Sequence, residues 1–198
     1  MEIIYKDILK AVCAGVAISI GCVAYLSTGS ALTFPIGLFI VCTFGFNLFT
    51  GKVCFAKLKH APYLVVCLVF NLLSAFLMGY IIRLCKPNLI DIAVNITSDK
   101  LNEGLALIPL AILCNVLIFV AVSLYRNETS TVVGVFGLYL STAIFVMCGF
   151  EHCVANAFYF GLANKITFRT ISYLLINIIF NAVGGILSDK IVKYLRIS

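Results

Sequence analysis

Six stretches of this chain run for about the thickness of a lipid bilayer with almost no charged side chain: Ile8–Leu26, Ala31–Phe49, Pro62–Leu84, Leu105–Tyr125, Thr131–Cys148 and Ile171–Leu187. About 20 mostly apolar residues cross a hydrocarbon core as a helix. Lipid offers the backbone no hydrogen-bond partner, so a spanning segment must satisfy its own. Hydrophobic residues make up 63% of the 198 positions and charged residues 11%, too few polar side chains to cover a soluble fold of this size. The sequence predicts an all-α membrane protein with six transmembrane helices in one domain, 1–198. The polar start, with Glu2, Lys6 and Asp7, enters the first apolar stretch without a small-residue cleavage site. That stretch reads as a membrane helix and not as a removed signal peptide.

The net charge of +6 comes from cations set between the apolar stretches. There is no basic stripe with interleaved aromatics, and no nucleic-acid partner is expected. With the N-terminus inside, the inner segments hold Lys6, Lys10, Lys52, Lys57, Lys59, Arg126, Lys190, Lys193 and Arg196. The outer ones hold Arg83, Lys86, Lys100, Lys165 and Arg169. This excess predicts both termini in the cytoplasm of a multi-pass plasma-membrane protein of bacterial type. The nine cysteines contain no CxxC pair and lie mostly inside apolar stretches, where they read as packing residues. No metal and no cofactor is expected.

The second and fifth stretches each end at a Gly-Phe pair and a polar interruption, then resume as a short apolar piece, Val53–Leu58 and Ala155–Ala163. Gly45-Phe46-Asn47-Leu48-Phe49-Thr50 and Gly149-Phe150-Glu151-His152-Cys153-Val154 stand 104 residues apart, and Asn71 and Asn181 stand 110 apart. Three spans per half, about 1–95 and 96–198, predict an inverted repeat of three plus three with helices two and five broken. Paired broken helices point to a translocation pathway, because non-helical backbone survives at membrane depth only inside protein or along a wet cavity. Half-helix N-termini there favour an anion.

His152 sits inside the second break, between Glu151 and Asn156. Either it is a neutral imidazole tied to the loop backbone, or its N–H meets substrate at mid-membrane and shares a proton. Thr50, its counterpart in the first break, either bonds back to helix carbonyls or supplies a second polar contact. Glu151 is read as ordering the loop by accepting backbone N–H groups, with proton relay as the alternative. Phe34, Leu48, Phe49 and Phe145 lie in or near the breaks, where apolar side chains could form water-stripping constrictions. His60 reads as a solvated loop residue.

The run Cys148-Gly149-Phe150-Glu151-His152-Cys153-Val154-Ala155-Asn156-Ala157-Phe158 resembles the G-F-E-H-S-V-A-N-M-F signature of the formate/nitrite transporter family, and Leu48-Phe49-Thr50-Gly51 resembles its L-F-T-G segment. Asn71, Cys114-Asn115 and Asn181-Ala182-Val183-Gly184-Gly185 follow in the expected order. The resemblance implies a homopentamer of aquaporin-like protomers, each with its own pore. It places His152 and Thr50 at the narrow part, Phe34 and Phe145 along the pore, Leu38 and Leu48 at apolar constrictions and Lys100 in a vestibule. The chain departs from the family at Asn47 (acidic there), Lys52 (Asn), Cys153 (Ser) and Ala157 (Met). The segment before the first span is only a few residues, so an ungated pore is expected.

The expected function is a passive or proton-linked channel for a small monovalent anion such as formate, nitrite or hydrosulfide, with protons and the lipid bilayer as further partners. A bare ion would meet a large desolvation cost in an apolar slit. A proton gained near His152 removes most of it. Two other classes stay open. A neutral-solute pore of aquaporin type would share the repeat, although the paired Asn-Pro-Ala loops are missing from the sequence. A membrane enzyme could use His152, Glu151 and Cys153, but no catalytic set accompanies them, and enzymatic activity is not expected.

Overall fold

The computed structural model describes residues 2–127 and 130–197. Met1, Glu128, Thr129 and Ser198 lie outside the described residues, as do the side chains of Glu2, Leu58 and Arg196, on which parts of the sequence reading rest. The described residues form α1 (Glu2–Thr28), α2 (Ile36–Thr43), α3 (Phe49–Val53), α4 (Ala61–Cys85), α5 (Ile90–Asn102), α6 (Leu107–Asn127), α7 (Thr131–Met147), α8 (Cys153–Ala163) and α9 (Phe168–Ile197), with short 3-10 turns and no strand among them. Helices α1, α4, α6 and α9 are long and apolar enough to cross a membrane. Their outward faces carry large apolar side chains, for example Val65, Leu73 and Leu77 on α4 and Leu175, Ile179 and Leu187 on α9, as a lipid-facing surface requires.

The long helices pack as two parallel pairs. On α1 and α4, Asn71 Nδ2 donates to Ala11 O at 2.7 Å, and a Cβ on Gly15 would strike Ser74. On α6 and α9, Asn181 Nδ2 donates to Ala111 O at 2.8 Å, and a Cβ on Gly184 would strike the Ile112 carbonyl. Small residues let helix backbones approach where lipid supplies no hydrophobic drive between them. The pairs run in opposite directions. Phe55, on the way from α3 to α4, packs against the tilted ring of Phe119 and lies under Arg126, so α6 finishes where α4 begins. We call this the terminal end, and the opposite one, where α5 lies, the α5 end.

Helices α2 and α7 stop short for one shared reason. Gly45 and Gly149 adopt φ of +63° and +66°, which a residue without Cβ reaches at little cost. Phe46 N–H then bonds Val41 O, and Phe150 N–H bonds Phe145 O, each at 2.9 Å. These are Schellman caps, which close a helix by tying the turn back to its last carbonyls.

The element bounds differ from the apolar stretches in telling ways. Helix α2 ends at Thr43, not Phe49, because the glycine cap acts before hydrophobicity fades. The chain resumes at Phe49 and Cys153, earlier than Val53 and Ala155, because asparagine side chains supply the missing partners for these helix starts. Helices α1 and α9 continue past their apolar runs into charged turns. Helix α5 has no counterpart among the six stretches. Its Asn95, Thr97, Ser98 and Asp99 interrupt any apolar run, yet Ala93 and Thr97 are fully buried where it packs toward α8.

Candidate substrate pathway

The two breaks are held by equivalent networks. At the first, Asn71 donates to Ala11 O and Asn47 O and accepts from Phe49 N–H, while Asn47 N–H bonds Lys10 O. At the second, Asn181 donates to Ala111 O and Glu151 O and accepts from Cys153 N–H, while Glu151 N–H bonds Leu110 O. Each asparagine therefore answers two backbone groups of its break, one carbonyl and one N–H, that would otherwise be stranded at membrane depth, and ties them to a carbonyl of the neighbouring continuous helix.

This scaffold brings Thr50 and His152 together, with Thr50 Oγ1 2.9 Å from His152 Nε2 and both residues buried. His152 Nδ1 accepts the Ala155 N–H at 3.2 Å and so caps α8. A nitrogen that accepts carries no proton, which places the neutral ring's proton on Nε2, pointing at Thr50. The Thr50 hydroxyl accepts it, and its own proton has no acceptor among the described residues. Phe145 stacks on the imidazole at 5.8 Å between centroids and meets Phe34 edge-on at 5.3 Å.

A cavity opens on each side of this pair. Toward the α5 end, about 100 Å³ is lined by Phe34, Phe145, His152, Asn156, Lys100 and Tyr159 among others. Toward the terminal end, about 330 Å³ is lined by Leu38, Leu48, Gly51, Lys52, Tyr125 and Arg126 among others. His152 lines the first cavity, and its partner Thr50 sits beside Gly51, which lines the second. Phe49 lines neither; its backbone N–H is spent on Asn71.

Glu151 also stands off both cavities. Its carboxylate accepts from Lys100 Nζ and from Asn156 Nδ2, the latter at 2.7 Å, so it bonds side chains where backbone N–H groups were expected. Asn156 also donates to Asn177 Oδ1 at 2.8 Å. Lys100, on α5, therefore presents to the cavity a cation already paired with a carboxylate. Beyond the membrane helices, burial and the nearby Glu151 charge push the Glu103 carboxyl up to about 7, against a bond from Tyr173 Oη at 2.9 Å. His60 is exposed, and its Nδ1 accepts the Lys57 N–H. The sequence reading missed Lys52, Arg126, Tyr125 and Tyr159 as lining residues. Only the departure at Lys52 and the cation at the end of the fourth stretch hinted at them.

The family model described as formate/nitrite transporter matches residues 4–195. The chain belongs to the formate/nitrite transporter family. Among its relatives are a formate channel from Bacillus thuringiensis, 27% identical with 77% of this chain and 66% of that protein covered, and a probable formate transporter from Methanothermobacter thermautotrophicus, 28% identical with 64% and 57% covered. The chain thus spans less than two thirds of the length of these relatives. Two solved structures share the fold of this family member. One is a pentameric formate channel with formate bound, with TM-score 0.85, 24% identity and 96% of each chain covered. The other is described as an FNT family ion channel, with TM-score 0.87, 19% identity, and 97% and 90% covered.

Proposed function

We propose that the protein is a channel for a small monovalent anion of the formate, nitrite or hydrosulfide class, and not an enzyme. The observation that carries this is the Thr50–His152 hydrogen bond between two cavities, walled by Phe34, Phe145, Leu38 and Leu48. In this reading the chain is a plasma-membrane protomer with six spans in an inverted repeat, helices two and five broken, both termini in the cytoplasm, and five copies assembled. The matched asparagine networks and the opposed helix pairs support the repeat.

The solute enters a cationic cavity and must shed water to pass the aromatic and aliphatic side chains. A bare anion pays heavily for that step, so it crosses as the neutral acid. The unspent Thr50 hydroxyl proton is the donor that greets it, and the Nε2–H of His152 holds that hydroxyl in place. Protonating His152 at Nδ1 would forfeit the Ala155 bond, so the travelling proton comes from the cavity's water and not from the ring. Release into the opposite cavity returns the proton to solvent.

The test is flux into proteoliposomes for formate, nitrite, hydrosulfide, lactate and glycerol at two outside pH values. Anion flux should rise as the outside is made acidic. His152→Ala should lower it by about 10- to 100-fold, the scale of losing one hydrogen bond to a charged or reacting partner. Glycerol flux exceeding anion flux would overturn the reading in favour of a neutral-solute pore.

A further inference from the structure

We propose that the groove between α6 and α9 at the terminal end is a binding site for one anionic phospholipid. This cavity, about 380 Å³, is separate from the pathway except that Arg126 borders both. Its floor is aromatic, from Phe55 and Phe119, and its rim carries Arg126, Lys193 and Asp189. Two cations against one carboxylate leave the rim positive. Asp189 is engaged by Lys193 at 2.6 Å, and the Arg126 guanidinium lies over the Phe55 ring at 5.2 Å. Ser123 also lines the groove, and its buried hydroxyl has no hydrogen-bond partner among the described residues.

The geometry selects a lipid over a free anion. The groove lies where the apolar span of α6 ends at Arg126, the depth at which a phosphodiester sits. The wall of the groove on α6 adds the apolar side chains of Val120 and Leu124, a surface for acyl chains. A solvated inorganic anion would gain nothing from the ring-lined floor, whereas a phospholipid places phosphate against the guanidinium and ammonium and carbon against the rings. Basic pockets between membrane helices hold anionic head groups in this way. The Ser123 hydroxyl supplies a donor for a phosphate or ester oxygen.

The experiment is native mass spectrometry of the full chain, released from mixed micelles carrying equal phosphatidylglycerol and phosphatidylcholine. Phosphatidylglycerol should be retained preferentially, and excess glycerol 3-phosphate should not displace it. Lys193→Gln should lower that preference about fivefold, the effect of one cation at a lipid surface. Ser123→Leu, which fills the groove, should abolish retention with the oligomer mass unchanged. Equal retention of the two lipids, complete displacement by glycerol 3-phosphate, or a preference untouched by both substitutions would overturn the proposal. So would a Ser123→Leu protein of lower oligomer mass, which would mean that a second copy covers the groove.

Discussion

At the first break Asn47 Nδ2 reaches Asp7 Oδ1 on α1 at 3.1 Å, and at the second Glu151 reaches Lys100 on α5. The backbone scaffold around the two is the same, down to the three groups that each central asparagine bonds. What differs is the anchoring chemistry. A neutral amide holds the break bearing Thr50, and a buried ion pair holds the break bearing His152, whose Glu151 is 1% exposed. Backbone at membrane depth has to be satisfied the same way in both halves, so that part is constrained twice. The side chains that line the cavities carry no such backbone duty and are free to diverge.

The largest effects should come from the shared scaffold. Asn71→Ala and Asn181→Ala each take the asparagine partner from two buried backbone groups of a break, at about 1–3 kcal/mol per group. Each should lose about 3 kcal/mol or more of stability in a detergent unfolding titration, and the two losses should match. A loss confined to one half would break the equivalence.

The anchors should then separate the halves. Lys100→Met leaves the Glu151 charge buried without its cation and should cost about 3–5 kcal/mol. Adding Glu151→Gln should recover most of it. Asp7→Ala removes one half-buried hydrogen bond and should cost about 1 kcal/mol or less. Equal losses in the same titration would mean that the ion pair is no stronger an anchor than the amide.

A smaller effect is tied to pH at the α5 end. Glu103 ionises near 4.5 when unperturbed and about 7 in the fold. Between those values the folded chain keeps a proton that the unfolded chain has lost, so stability should fall as pH rises from about 4.5 through 7. Glu103→Gln should flatten the melting temperature across that window. A slope unchanged by the substitution would place the titration elsewhere.

The smallest effect concerns the exposed Lys52 beneath the first break. Lys52→Asn should lower anion flux about two- to fivefold at low salt, and the two proteins should converge as salt screens the cavity. A difference that survives high salt would show direct contact with the solute.

The glycine caps and the Asn71 and Asn181 pairing were legible in the sequence because each rests on one residue type with one physical use. The meeting of Thr50 with His152 could be anticipated only through the repeat, since residues 102 positions apart share no local signal. Helix α5 was not legible. Its hydrophobic side is a narrow stripe, and what stabilises it is packing near α8 and the Lys100–Glu151 pair, both of them long-range. The role of Arg126 in two cavities was hidden for the same reason, because a cation at the end of an apolar run looks like an ordinary boundary residue.

All of α8, Cys153–Ala163, is buried, and its Gly161 faces the Phe76 carbonyl of α4 as Gly79 of α4 faces the Phe158 carbonyl of α8. An 11-residue helix cannot cross a bilayer by itself, so during synthesis it has no resting place in lipid until the glycine groove of α4, made much earlier, receives it. The first half therefore waits, incomplete, for a piece of the second. A bulkier residue at Gly79 or Gly161 would then be seen as protein that never matures and is degraded, long before any defect in conduction could be measured.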